Sequence, residues 1–259
     1  MRLLASELRK VIYVRSNWGI LIAAILLSAL STAVTVPILQ ADDGNAFGIS
    51  LSTTMGADAV YANAVSGYLF AIILGVIMMA SEFRHGTAVA TFLTSPKRSR
   101  VVLAKLGVGA IASSVLMLLS AIAGIVAGWI ALQTVEDAGT PSENLFINLL
   151  LASVLAGVVL GVIGLAIGTL IKNQLLAIVA TLIYLFVIDP LLLTLLPDAG
   201  KYLPTGLITA MLNLDIDAPE FGIDTSQYLP PLVAAGVLVA IGAVFAVVAM
   251  LTSLRRDVD

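Results

Sequence analysis

The chain has no cysteine and a single histidine, His85. The first absence excludes disulfides, thiolate metal sites and cysteine nucleophiles. The second excludes any multi-histidine metal centre and the His-Glu-x-x-His type of zinc site. Charge is scarce as well, at 11% of residues, whereas 60% are apolar. Soluble globular chains carry roughly 45–50% apolar residues, so that class is excluded. No Gly-x-x-x-x-Gly-Lys-Ser/Thr loop occurs, which removes ATP hydrolysis by the P-loop route. Paired intramembrane carboxylates are missing, because Asp189 is the one acid well inside an apolar run. Neither an internal repeat nor mid-membrane ion sites of the kind a self-contained secondary transporter needs are visible.

What is present is length of apolar run. The mean hydropathy is +1.08, and a span needs about 20 mainly apolar residues. The predicted fold is therefore an all-α membrane protein with six transmembrane helices, over 18–39, 60–81, 101–132, 144–171, 175–196 and 230–253. The third and fourth runs exceed what a bilayer requires, so they tilt or project into water. The first run, at about 22 residues, outlasts the 7–15 of a signal peptide and reads as an uncleaved span.

Basic residues set the orientation. Arg2, Arg9, Lys10, Arg15, Arg84, Lys97, Arg98, Arg100, Lys105, Lys172, Arg255 and Arg256 all fall on one side of this arrangement, and only Lys201 falls on the other. Asp42, Asp43, Asp58, Glu136, Asp137, Glu143, Asp198, Asp215, Asp217, Glu220 and Asp224 gather opposite. Both termini are thus expected in the cytoplasm, with the protein in the cytoplasmic (inner or plasma) membrane.

Residues 1–17 carry Leu4, Leu8, Val11 and Ile12 at helical spacing, with Glu7, Arg9 and Lys10 on other faces. That pattern suits an interfacial amphipathic helix, or else a charged leader that only fixes topology. Gly157, Gly161, Gly164 and Gly168 form small-xxx-small steps in the fourth span, favouring close helix packing over a role in a substrate path. The segment 197–229 is too long for a turn and too broken by proline for a span, so it is predicted as short helices at the outer leaflet. Asp189 lies two-thirds of the way along the fifth span, and Pro190 breaks the ladder beside it. It is either a functional intramembrane acid or a carboxylate satisfied by freed backbone donors and water.

Between the second and third spans, residues 82–105 read EFRHGTAVATFLTSPKRSRVVLAK and hold five of the thirteen basic residues. Phe83, Thr87, Ala90 and Phe92 lie on or near one helical face, and Pro96 ends the helix. A charged segment with an aromatic knob suits docking of a soluble partner, although an ordinary positive-inside loop would also be basic.

The run Glu82, Arg84, Gly86, Thr87, followed by Pro96, Ser99, Arg100 and Lys105, resembles the first cytoplasmic loop of type-2 ABC transporter permeases, the ABC-2 exporter class. The likeness extends over essentially the whole chain as a single permease domain, 1–259: an elbow helix at 1–17, six spans, a short turn before the fifth span and a broken outer segment before the sixth. It implies a coupling helix within 82–100 and a second permease copy, identical or related. Two cytoplasmic ATPase subunits would carry ATP and Mg²⁺, and this chain would need no cofactor or metal and no catalytic residue of its own. By the same likeness Glu82, Arg84, His85, Gly86, Thr87, Phe92 and Arg100 face the ATPase. Glu82 would pair with Arg84 or a nearby basic group, His85 being outside the family pattern and read as a solvated loop residue. The partners are the ATPases, the second permease and membrane lipid, with no nucleic acid. The implied activity is export of an amphiphilic or hydrophobic cargo such as a drug, antibiotic, peptide or lipid. The alternative is an integral membrane enzyme or scaffold that works without an ATPase.

Overall fold

In a computed structural model, residues 2–41, 49–84, 98–171, 173–214, 217–218, 223–224 and 228–255 are described. They contain six helices long and apolar enough to cross a membrane. Helix α1 (Arg2–Tyr13) breaks at Val14 into α2 (Arg15–Ala41), the first span. The second span, Thr54–Arg84, is composite. It comprises α3 (Thr54–Ala62), a tight turn at Asn63–Val65 and α4 (Tyr68–Arg84). Then follow α5 (Arg98–Leu132), α6 (Leu145–Leu170) and α7 (Gln174–Ile183). A wider turn at Tyr184–Ile188 joins α7 to α8 (Asp189–Leu195). Short helices α9 (Pro197–Gly200) and α10 (Pro204–Leu212) precede the last span, α11 (Pro231–Arg255).

The second span begins earlier than its hydropathy suggests, at Thr54 rather than 60. Asp58 depresses the local hydropathy, yet it is buried and held: Oδ1 accepts from the Ser142 amide at 2.9 Å, and Oδ2 from the Ser142 hydroxyl. Thr53 caps α3 by accepting from the Gly56 amide at 3.1 Å. A break in a spanning helix frees carbonyls that lipid cannot satisfy. Here α2 supplies the donors: Ser28 Oγ reaches Ala64 O at 2.7 Å and Ser31 Oγ reaches Asn63 O at 3.3 Å. Asn63 in turn donates to Thr35 Oγ1 at 3.1 Å. The serines and threonines of α2 thus make a broken helix tolerable.

Helix α6 is the centre of the bundle, and its glycines face two different neighbours. A Cβ at Gly157 would sit 2.5 Å from Ser114 Cα, and one at Gly161 would sit 2.7 Å from Ser113 Oγ, both on α5. On the next flank a Cβ at Gly168 would lie 2.6 Å from Val76 O, and one at Gly164 would collide with Ile72 O, both on α4. Backbone therefore packs on backbone across both seams. Ser113 Oγ donates to Ala71 O at 3.0 Å, tying α5 to α4 at the same level. In lipid such close approach supplies the dispersion contacts that a hydrophobic effect between helices cannot.

Helix α5 has 35 residues, which at 1.5 Å each is about 52 Å, against a hydrocarbon core of about 30 Å. Within 197–229 the described residues form α9, α10 and a two-residue antiparallel pairing, Asp217 with Asp224 and Ala218 with Ile223. Helix α10 is buried along most of its length and ends at Asn213, whose φ of 53° is left-handed. Asparagine tolerates that conformation better than most side chains.

Candidate functional site

The amphipathic α1 turns its apolar stripe outward: Leu4, Leu8 and Ile12 are 48%, 41% and 49% exposed. Glu7, by contrast, is only 4% exposed and points into the bundle. Its partner is Lys105, about two turns inside α5, which is 3% exposed. Lys105 Nζ lies 2.7 Å from Glu7 Oε2 and also binds Glu82 Oε1 at the end of α4. Lys10, one helical turn beyond Glu7, closes the figure at 2.7 Å from Glu7 Oε1 and 3.0 Å from Glu82 Oε1. Two carboxylates and two ammonium groups alternate in a closed ring that joins α1, α4 and α5.

Alternation is what makes burial of three charges, Glu7, Glu82 and Lys105, tolerable, with the exposed Lys10 closing the ring from the solvent side. Removing charge from water is expensive, and it is repaid only when each ion meets opposite partners at hydrogen-bond distance. Burial pushes the Glu7 carboxyl up, but Lys105, together with hydrogen bonds from Lys10 and Lys105, outweighs it and holds the group below its ordinary value. Burial likewise pushes the Lys10 ammonium down, while Glu7 and Glu82 hold it above its ordinary value. Glu7 and Lys10 are therefore charged near neutrality.

The angle of α1 is fixed at its far end too. Asn17 Nδ2 donates to Val11 O at 2.9 Å and Trp18 Nε1 to Ile12 O at 2.7 Å. These side chains from α2 cap carbonyls that the end of α1 leaves open. Between α1, the start of α2, the end of α4 and Gln174 lies a cleft of about 550 Å³. Its walls include Val11, Val14, Ile77 and Met78, and its polar groups include Glu7, Lys10, Asn17, Glu82 and Arg84.

Arg84 is not the ion-pair partner of Glu82. Residues two apart on a helix point about 200° apart, so they cannot face one another. Arg84 instead donates to Gln174 Oε1 at 3.3 Å, bridging the ends of the second and fifth spans. Arg100 is exposed near the start of α5. His85, Gly86, Thr87 and Phe92 lie outside the described residues, as do Pro96 and Lys97. The ring thus brackets 85–97, with Glu82 before it and Lys105 after it.

Glu7 escaped the sequence-based site, and Lys105 entered the sequence reading only as a residue of the loop motif, with no partner assigned. The available signals were a lone acid in a basic N-terminal segment and a lone lysine five residues into an apolar run. Asp189 is at the opposite end of the bundle and is fully buried. Its donors come not from backbone freed by Pro190 but from the start of α10. The Thr205 hydroxyl donates to Oδ2 at 2.8 Å and the Thr205 amide at 3.3 Å.

The family model described as ABC-2 family transporter protein matches residues 3–188. No curated protein matches the chain.

Proposed function

The chain belongs to the ABC-2 family of transporter proteins, and from that membership we propose that it is the permease subunit of an ATP-driven exporter. Two permeases, identical or related, assemble with two cytoplasmic ATPase subunits that bind ATP and Mg²⁺. The basic end of the bundle faces the cytoplasm, and residues 85–97 receive the movement of the ATPase.

One observation carries this reading: the charge ring ties both flanks of 85–97 to each other and to α1. A push on a segment hung between two independent helix ends would be absorbed by their splaying. With Glu82 and Lys105 joined, α4 and α5 move together, and Glu7 and Lys10 carry α1 with them. The cleft beside the ring then changes shape with each ATPase closure. Helix α1 lies in the membrane interface as the elbow, its leucines in the acyl region and its basic residues toward headgroups. Helix α10 lies toward the outer leaflet, covered by neighbouring spans.

The cargo is an amphiphilic or hydrophobic molecule. Support comes from the cleft, where the apolar side chains of Val11, Val14, Ile77 and Met78 stand beside the polar and charged ones of Glu7, Lys10, Asn17, Glu82 and Arg84. That pairing suits a molecule with an apolar body and a polar end.

The decisive experiment is affinity purification of the tagged chain in mild detergent. A stoichiometric P-loop ATPase co-purifies with the parent and is lost with Arg84→Ala or Phe92→Ala. Recovery of an active permease with no nucleotide-hydrolysing partner would overturn the reading. For the cargo, amphiphiles stimulate the ATPase of the complex and a strongly hydrophilic solute does not; the reverse pattern removes the cargo assignment.

A further inference from the structure

Three unusual features meet about two-thirds of the way along the fifth span. The wider turn at Tyr184–Ile188 carries one residue more than an α-helix would, and the Asp189 amide bonds back to Tyr184 O, five residues earlier. Asp189 is fully buried, its Oδ2 accepts both donors of Thr205, and its Oδ1 has no hydrogen-bond partner among the described residues. Pro190 follows and offers no amide to the helical ladder.

We propose that the Asp189–Thr205 contact is a latch that selects between two registers of the fifth span and so holds α10 in place at the exit side of the permease. The exit side rests on the transport reading above; the register change does not. Inserted turns of this type can be lost by shifting one hydrogen bond along the ladder. Doing so rotates everything beyond the turn by about 100°. A carboxylate several ångströms from the helix axis is then swept out of reach of Thr205, so the contact and the α register exclude each other. The missing Pro190 amide removes one bond that would oppose the shift.

The contact is built to be released as well as made. Thr205 stands in the first turn of α10, where backbone amides have no partner within the helix. A carboxylate there is held by those amides and by the positive end of the helix. A fully satisfied carboxylate would be hard to withdraw, but the unpartnered Oδ1 leaves this one only half satisfied. When the latch opens, α10 loses its tether to the fifth span.

The absence of cysteine gives a clean test. Ala210 is a small, buried residue of α10, and Ala210→Cys introduces a single reporter thiol. In nanodiscs, with both faces open to reagent, labelling is slow in this reporter. It rises about tenfold when Asp189→Leu or Thr205→Val is added, as expected for losing a charge-assisted hydrogen bond. Deletion of Val187, which removes the extra residue but leaves Asp189 above Tyr184 as in the wider turn, labels as slowly as the reporter. Asp189→Asn keeps an acceptor for Thr205 but not the charge, and labels at a rate between those of the reporter and Asp189→Leu. Equal rates across all these variants overturn the latch, and so does a rise in Asp189→Asn matching that of Asp189→Leu. In the assembled exporter, Asp189→Cys with Thr205→Cys blocks export when oxidised and regains it on reduction. Full export by the oxidised protein overturns the role at the exit. The labelling needs neither ATPase nor cargo, so it can succeed or fail independently of the transport reading.

Discussion

Glu7 and Lys105 are separated by 98 residues in the chain and by 2.7 Å in the structure. Around this pair the amphipathic α1 is bound to α5, and Glu82 and Lys10 complete the alternation. Because each charge neutralises two neighbours, the ring behaves as a unit.

Lys105→Met therefore leaves two buried carboxylates facing a single ammonium group. We expect a loss of about 3–5 kcal/mol, the cost of uncompensated charge in a dry site. Glu7→Leu added to it restores neutrality, with Lys10 still facing Glu82, and recovers most of that loss. Thermal unfolding midpoints of the purified protein in one detergent check both outcomes.

The ring also sets the pH range of stability. Glu7 is held below its unfolded value of 4.5, so its contribution is present above that pH and disappears as pH falls through the folded value. Lys10 is held above its unfolded value of 10.5, so its contribution is full below that pH and disappears as pH rises through the folded value. Stability from these two groups is level between the limits. Glu7→Gln removes the Glu7 part of the acid limb, visible as a shallower fall in unfolding temperature on acidification.

Gly164 and Gly19 give a matched contrast. A Cβ at Gly164 collides with the carbonyl of Ile72, whereas a Cβ at Gly19 meets nothing within 4 Å. Gly164→Ala must prise α6 from α4 and costs about 1–3 kcal/mol, as overpacking does. Gly19→Ala stays within about 0.5 kcal/mol of the parent. Unfolding midpoints of the two variants decide this.

At the other end of the bundle, Asp58→Ala strips the Ser142 amide and hydroxyl of their acceptor. The expected cost is about 1–3 kcal/mol. Limited proteolysis detects it as faster cleavage within 133–144, the connection that Asp58 holds down.

Much of this architecture is written in hydropathy. A run such as LFINLLLASVLAGVVLGVIGLAIGTL from Leu145 to Leu170 has no stable home but a membrane or a core, so its span is legible. Asp58 hid the first turn of the second span because hydropathy scores a carboxylate as solvated and cannot see Ser142, 84 residues away. The same blindness concealed the ring. Helical spacing puts Glu7 on the polar side of α1, but only the position of α5 decides that this side faces protein rather than headgroups. For the Asp189 carboxylate, sequence located the acid and the adjacent proline, while its donor came from a helix folded back 16 residues later.

The glycine seams of α6 have a mechanical corollary. Carbonyl-to-glycine contact on two flanks welds α4, α6 and α5 into one plate, since backbone has no rotamers with which to yield. The first, fifth and sixth spans are the least buried of the six, with most of their residues facing away from the bundle. Any change of shape within the chain thus falls to those three, swinging on a keel that stays stiff.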